Sequence, residues 1–278
     1  MNSFIPWIGS KRLLRSQIIS MFPVYYEQYI EVFGGGGWIL FAKSPGKELE
    51  VYNDLNGLLV NLFHCVRDHP QELMNELRYV LNSRIEFNRA SAILARRGRR
   101  NEVQKAALYY QIIRHSYNAT LNSFAARPHD LWSDYPIIEK ASRRLKDVLI
   151  EHQDFEKLIR SYDGETSFFY CDPPYHNTEG YYKNLGEKGF GEIDHLRLQD
   201  TLLSIEGKFM LSYNDDRFIR ELYNEQGIYI VETSRADTMR NRTQPKSKFP
   251  ELIITNYDPY ERAQQLSLFS ADEEEESI

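Results

Sequence analysis

Length, composition and cysteine content limit the classes of protein to which this chain can belong. Its 278 residues, 42% of them hydrophobic, are enough to bury a full core in one domain with a large insertion or in two domains. No apolar run is long enough to span a bilayer and no signal-peptide pattern is present, so we expect a cytoplasmic protein without membrane association. The two cysteines, Cys65 and Cys171, lack metal-ligand spacing, and we therefore expect no metal site.

The net charge of −6 is unevenly distributed along the chain. Residues 63–144 contain 14 Lys and Arg but 8 Asp and Glu, a net of +6, so that the remainder carries −12. Segregation of this kind indicates a basic contact surface on an otherwise acidic protein. The overall negative charge therefore does not exclude a nucleic acid as partner.

A loop-like N-terminal arm precedes the first predicted helix, which we expect over residues 12–21. In this arm Trp7 and Lys11 are candidate ligand contacts, because an indole can stack on a base and an ammonium can reach a carboxylate. The alternative is an arm that only packs on the core of the protein.

A strand, a glycine turn and a helix come next, in the order of the first unit of a nucleotide-binding α/β fold. We predict a strand over residues 29–33, which ends at Phe33 and is followed by four glycines that allow close backbone approach to a ligand, among them Gly34 and Gly36. A second predicted strand ends at Asp54, 20 positions after Gly34, where a carboxylate would meet ribose hydroxyls.

Residues 63–144 have a helical and basic pattern. A cationic series indicates phosphate contact, although a solvated helix face is the alternative. A polar loop over residues 115–128 carries side chains that can pair with base edges or wedge into a base step, or it is an ordinary exposed loop. The candidate DNA contacts are Arg96, Arg97, Arg99, Arg100, Arg114, Tyr117, Asn118, Asn122, Phe124 and Arg127.

A third strand, expected to end at Asp154-Phe155, presents a carboxylate and a ring that suit the amino group and the face of an adenine. A buried strand over residues 167–171 then runs into Asp172-Pro173-Pro174-Tyr175. The prolines stiffen this turn, and Asp172 and the Pro173 carbonyl can accept hydrogen bonds from an exocyclic amine while Tyr175 stacks on its ring. Two such acceptors favour the electron-rich nitrogen that attacks a methyl group.

The C-terminal third continues the alternation of helix and strand. A mobile, lid-like loop is expected around Tyr181 and Tyr182, and a helix is expected from Asp194. A strand over residues 207–213 follows, with Asn214-Asp215 capping the next helix. A last hairpin is predicted from residues 228–231 and 251–256, joined by a basic strip that could contact DNA phosphate. Residues 263–278 are too acidic to fold alone.

Taken in this order, these segments resemble the Dam-like class of DNA adenine-N6 methyltransferases. The resemblance is carried by the F-x-x-W-x-G-x-K pattern of residues 4–11, Glu31-Val32-Phe33-Gly34-Gly35-Gly36, Asp54-Leu55-Asn56, Asp154-Phe155, Asp172-Pro173-Pro174-Tyr175 and residues 251–257. It implies S-adenosylmethionine as cofactor and a target adenine flipped out of duplex DNA. The cofactor contacts it implies are Trp7, Lys11, Phe33, Gly34, Gly36, Asp54, Asp154, Phe155 and Asp172.

The fold that the resemblance implies is α/β, a Rossmann-like methyltransferase sheet with an inserted helical target-recognition domain. We expect a catalytic domain of residues 1–62 and 145–262, a recognition domain of residues 63–144 and an acidic tail of residues 263–278. An N4-cytosine methyltransferase is the nearest alternative, since that amine has similar chemistry. A catalytically silent DNA-binding or clamp-associated module is the alternative from another class.

The tail carries a second resemblance. Gln265-Leu266-Ser267-Leu268-Phe269 is similar to the pentapeptide by which bacterial replication proteins bind the sliding clamp. The resemblance implies that the clamp is a partner and that the enzyme acts close to replicating DNA in a bacterial or phage setting. The alternative is a segment docked on the protein's own surface.

Overall fold

A computed structural model describes residues 1–96, 100–177, 189–236 and 248–262 of the chain. The strands are β1 (Gln28–Glu31), β2 (Leu49–Asn53), β3 (Val148–Glu151), β4 (Ser167–Cys171), β5 (Lys208–Asn214), β6 (Tyr229–Ala236) and β7 (Lys248–Thr255). The helices are α1 (Arg15–Ser20), α2 (Trp38–Ala42), α3 (Gly57–Asp68), α4 (Pro70–Leu77), α5 (Arg84–Ala95), α6 (Glu102–His115), α7 (Tyr135–Leu145), α8 (Phe155–Tyr162), α9 (Glu192–Leu203) and α10 (Arg217–Leu222). Two 3₁₀ turns cover Tyr117–Ala119 and Leu131–Asp134.

The seven strands of the described residues form one sheet in the order β3-β2-β1-β4-β5-β7-β6. Strands β1 to β5 pair in parallel, whereas β7 runs antiparallel to both β5 and β6. The order of the strands reverses between β1 and β4, and ligands of open α/β sheets bind at such a point, outside the carboxyl ends of the strands. The predicted α/β fold with a Rossmann-like sheet is confirmed.

The core lies on both faces of this sheet because successive side chains of a strand point to opposite sides. In β4, Phe168 and Tyr170 pack with the helices α1 to α4, α6 and α7, whereas Phe169 and Cys171 pack with α8, α9 and α10. The sheet and the helices on its two faces therefore form three layers. The central strands are buried on both sides, as their uninterrupted apolar sequences require.

The helical insertion shares most of its buried apolar residues with the core of the sheet, and a small cluster of its own forms around Phe87, Ala90 and Ile112. Residues of α4, α6 and α7 belong to the same apolar cluster as Tyr52 of β2 and Phe63 of α3. Arg144 of α7 adds a buried tie, donating at 2.6 and 2.7 Å to Glu50 and at 2.9 Å to the Leu40 carbonyl. The two expected boundaries of the insertion fall within α3 and α7.

Several predicted element ends differ from the structure. Helix α1 begins at Arg15 rather than residue 12, because residues 11–14 form a separate turn closed by Leu14 N–H on the Lys11 carbonyl at 3.0 Å. Strand β3 ends at Glu151 rather than at Asp154-Phe155. Asp154 instead caps α8, its carboxylate accepting from Glu156 N–H at 3.1 Å. The cap of α10 is Asp216 and not Asn214-Asp215, because Asn214 still belongs to β5.

The described part of the chain contains no helix that is long and apolar enough to cross a membrane.

Candidate active site

A pocket opens at the carboxyl ends of β1, β2 and β4, where the sheet reverses its strand order. The glycine turn follows β1, Asp54 follows β2 and Asp172 follows β4. All the predicted cofactor contacts line this one pocket: Trp7, Lys11, Phe33, Gly34, Gly36, Asp54, Asp154, Phe155 and Asp172. Pro174 and Tyr175 line it too, while Pro173 is buried beside it. Segments far apart in sequence therefore share one cavity.

The glycine turn is held by the end of β2. Gly35 N–H and Asn56 N–H donate to the two carboxylate oxygens of Asp54, each at 2.8 Å, and the Tyr52 hydroxyl donates to the Gly35 carbonyl at 2.7 Å. Burial raises the pKa of Asp54, opposed by these backbone hydrogen bonds. A methyl group on Gly34 would lie 2.2 Å from the Tyr52 ring, so the close approach of β1 and β2 requires glycine there.

Lys11 joins the N-terminal arm to the Asp-Pro-Pro-Tyr turn. Its side chain is buried and its ammonium forms an ion pair with Asp172, 161 positions away in sequence. The same ammonium lies 4.8 Å from the centre of the Tyr175 ring. The carboxylate that Lys11 reaches is therefore one of the protein's own, which fixes the arm over the Asp-Pro-Pro-Tyr turn.

Glu31, the last residue of β1, is a second acid in the floor of the pocket. Its Oε2 accepts hydrogen bonds from Leu40 N–H at 2.7 Å and from the Tyr29 hydroxyl at 2.8 Å. Its pKa is raised to about 8, chiefly by burial, with a smaller contribution from the charge of Asp172 and with the hydrogen bonds from Tyr29 and Leu40 acting in the opposite direction. Glu31 was not among the predicted site residues. The sequence signal that could have identified it is an acidic residue inside an otherwise apolar strand pattern.

An aromatic wall closes one side of the pocket. Phe33 and Phe155 lie 5.6 Å apart between ring centres, and Phe190 lies 5.6 Å from Phe33 and 5.8 Å from Phe155. The guanidinium of Arg197 covers Phe155 at 4.3 Å from its ring centre and pairs with Asp154 at 2.8 Å. Sequence reasoning identified Phe33, Asp154 and Phe155 but missed Phe190 and Arg197, which have no local motif.

Tyr175 is supported from behind by a buried polar pair. The ring of Tyr213 lies 6.1 Å from that of Tyr175, and its hydroxyl is 2.6 Å from His195 Nδ1. Burial lowers the pKa of His195 to about 4. At neutral pH the imidazole is therefore uncharged, as its buried position behind Tyr175 favours.

The predicted DNA contacts in the insertion fall into distinct environments. The described residues with exposed side chains are Arg96, Arg100, Tyr117, Asn118, Asn122 and Arg127. Arg114 instead pairs with Asp134, with its Nη2 at 2.6 Å and its Nε at 2.8 Å, and Phe124 packs 5.9 Å from Phe87. These two side chains thus make contacts within the insertion itself.

Residues 115–125 form a short hairpin in which Tyr117 N–H donates to the Ser123 carbonyl at 2.8 Å and Ala125 N–H donates to the His115 carbonyl at 2.8 Å. Three residues of its tip, Asn118, Ala119 and Leu121, have positive φ, a backbone strain typical of functional loops.

Some predictions concern residues that the structure does not describe. They are the phosphate contacts Arg97 and Arg99, the loop around Tyr181 and Tyr182, most of the basic strip before β7, and Gln265, Leu266, Ser267, Leu268 and Phe269. Within the described ranges, no group of three or more His, Cys, Asp or Glu could hold a metal ion.

The sheet order and the pocket at the reversal point are those of a Rossmann-like α/β protein that binds its ligand at the carboxyl ends of the strands. The model of the D12 class N6 adenine-specific DNA methyltransferases matches residues 7–236, and the chain belongs to that family. It is therefore an adenine-specific DNA methyltransferase, as predicted, rather than an N4-cytosine enzyme or a silent binding module.

Curated relatives agree with this assignment. The chain is 28% identical to the type II methyltransferase M1.LlaDCHI of Lactococcus lactis subsp. cremoris, over 92% of this chain and 96% of that protein. It is 24% identical to the DNA adenine methylase of Haemophilus influenzae, over 90% and 92%. It is 25% identical to the type II methyltransferase M.MjaIII of Methanocaldococcus jannaschii, over 91% and 98%.

Proposed function

We propose that S-adenosylmethionine is the methyl donor and binds in this pocket. When bound, it supplies an activated methyl group on a sulfonium sulfur. The donor set suits its parts: Asp54 faces the pocket as an acceptor for ribose hydroxyls, and Asp154 with Phe33 and Phe155 offers an acceptor and ring faces for adenine. The convergence of these groups on one cavity is the observation that carries the proposal.

The Asp-Pro-Pro-Tyr turn is proposed to bind the target base. The Asp172 carboxylate and the Pro173 carbonyl accept the two hydrogens of the adenine N6 amine, and Tyr175 stacks on its ring. These bonds strengthen as positive charge develops on N6, so they stabilise the transition state more than the ground state. Lys11 provides the counter-charge to Asp172 and orients it.

An adenine inside a duplex cannot reach this turn, so the base is proposed to be flipped out of the helix. Unstacking costs roughly a few kcal/mol, which pocket stacking and phosphate contacts offset. Arg96, Arg100 and Arg127 of the insertion are proposed to bind phosphates, together with Arg97 and Arg99. Tyr117, Asn118 and Asn122, at the hairpin, are proposed to contact bases.

Transfer of tritium from methyl-labelled S-adenosylmethionine to plasmid DNA tests this function, with N6-methyladenine identified after digestion. Asp172→Ala is expected to lose at least about 100-fold in turnover, as when one preorganised polar contact to a transition state is removed, and to keep its affinity for DNA. Asp200→Ala, at an exposed position on α9, is the matched control. Label transfer near the wild-type rate by Asp172→Ala would contradict the proposed role of Asp172. Absence of label transfer by the wild type would contradict the proposal that S-adenosylmethionine is the methyl donor.

The tail is proposed, from its sequence alone, to bind the bacterial sliding clamp through Gln265, Leu266, Ser267, Leu268 and Phe269, which would keep the enzyme on replicating DNA in the cytoplasm. Deletion of residues 264–278 should abolish capture by immobilised clamp and spare methylation of an oligonucleotide. Undiminished capture would end this proposal.

A further inference from the structure

Arg197 lies at the rim of the pocket and has no part in the function proposed above. It belongs to α9, one turn after Asp194, whose carboxylate accepts from Gly191 N–H at 3.0 Å and so fixes the start of the helix. From there the guanidinium reaches across to the start of α8. It is within 2.8 Å of Asp154, 3.1 Å of Asp194 and 3.6 Å of Glu156. One cation thus faces three carboxylates.

The contact with Asp154 is bidentate, with Nη2 on Oδ2 at 2.8 Å and Nη1 on Oδ1 at 3.3 Å. Asp154 Oδ1 also accepts from Glu156 N–H. Each carboxylate oxygen has two acceptor sites, so the donors among the described residues fill both sites of Oδ1 and one of the two sites of Oδ2. The fork of Arg197 therefore leaves Asp154 with one defined direction in which it can accept an amine.

The same guanidinium covers one face of Phe155 at 4.3 Å from its ring centre, while Phe33 and Phe190 pack around this ring at 5.6 and 5.8 Å. A planar cation over an aromatic face is an attractive contact that restricts the ring. Arg197 thus orients both the acceptor and the ring that would recognise a purine. Half-exposed ion pairs contribute little to stability, so stability alone does not account for this arrangement.

We propose that Arg197 is a positioning residue for the adenine of the cofactor, which directs Asp154 towards its 6-amino group and holds Phe155 against its ring. This inference rests on the proposed binding of S-adenosylmethionine in this pocket. It also gives the site a selectivity: a purine with a 6-oxo group, which offers an acceptor where Asp154 needs a donor, is rejected as long as Arg197 keeps Asp154 in place.

The test is equilibrium binding by calorimetry of S-adenosylhomocysteine and of its inosine analogue. Arg197→Gln is expected to weaken the binding of S-adenosylhomocysteine by about tenfold, which corresponds to one charged hydrogen bond. It should weaken the binding of the inosine analogue much less. In steady-state assays its KM for S-adenosylmethionine should rise while kcat and the KM for DNA stay near those of the wild type, since uniform binding is lost.

Two further variants sharpen the test. Arg160→Gln is the matched control, because Arg160 is exposed and pairs at 3.0 Å with Glu156, a carboxylate that Arg197 also approaches, while it does not line the pocket. Arg197→Lys keeps the charge and loses the planar fork, so it should restore only part of the affinity. If Arg197→Gln fails to fold, as judged by thermal melting, Arg197→Lys carries the test.

The outcomes separate the two proposals. Wild-type affinity in Arg197→Gln, full recovery in Arg197→Lys, or equal weakening of both ligands would overturn the positioning role and leave the proposed function intact. A wild-type protein that binds neither S-adenosylhomocysteine nor S-adenosylmethionine would overturn the proposed function itself.

Discussion

Glu31 makes the stability of the ligand-free protein depend on pH in a direction unusual for an acid. Its pKa is about 8 in the folded protein against 4.5 for an exposed glutamate, so between these values the folded state holds a proton that the unfolded state has released. Stability is then fully present below pH 4.5 and is lost as the pH rises towards 8. The difference of 3.5 pKa units corresponds to about 5 kcal/mol, at about 1.4 kcal/mol per unit.

Glu31→Gln should remove this dependence. Glutamine has the shape of the neutral acid, and its carbonyl oxygen can accept from Leu40 N–H and the Tyr29 hydroxyl as Glu31 does. We expect the variant and the wild type to differ little near pH 4.5. The advantage of the variant should grow with pH, to several kcal/mol at pH 9.

Urea denaturation of both proteins at intervals from pH 4.5 to 9 measures this difference in the free energy of unfolding. Glu165→Gln, at an exposed position, is the control and should follow the wild-type curve. A difference between Glu31→Gln and wild type that stays constant across this range would refute the assignment of Glu31 as a neutral acid at pH 7.

Two further substitutions test the site and its support. Gly34→Ala places a methyl group 2.2 Å from the ring of Tyr52, which is held in place by its hydroxyl hydrogen bond and by stacking on Phe63, so we expect the free energy of unfolding in urea to fall by about 1–3 kcal/mol or more. The control is Gly164→Ala, which should be tolerated because the nearest atom to the added methyl group lies at 3.9 Å. Equal denaturation midpoints for the two variants would contradict the close packing at Gly34. His195 is buried with a pKa of about 4 instead of 6.5, so the stability that it contributes is present above pH 6.5 and is lost as the pH falls through 4. His195→Gln should therefore reduce the loss of unfolding free energy between pH 7 and 4 by about 3 kcal/mol. An unchanged pH dependence in this range would show that His195 does not titrate in this way.

Local sequence patterns were sufficient to predict the fold and the positions of the candidate site residues. The apolar strand before Asp172 and the glycines after β1 each signal a structure within a few residues, and the rule that ligands bind at the carboxyl ends of parallel strands brings Asp54 to the same edge. This is why the predicted cofactor contacts line one pocket. Element ends were less accurate, because an acid such as Asp154 reads equally as the end of a strand or the cap of a helix.

The tertiary structure decided what depends on distant neighbours. The pairing of Lys11 with Asp172 spans 161 positions, and the wall around Phe155 is completed by Phe190, which precedes α9, and by Arg197 of α9. No periodicity or motif encodes such contacts. The protonation of Glu31 is decided in the same way, because desolvation by the layers packed over β1 raises its pKa, and burial of that kind exists only once the whole sheet is covered.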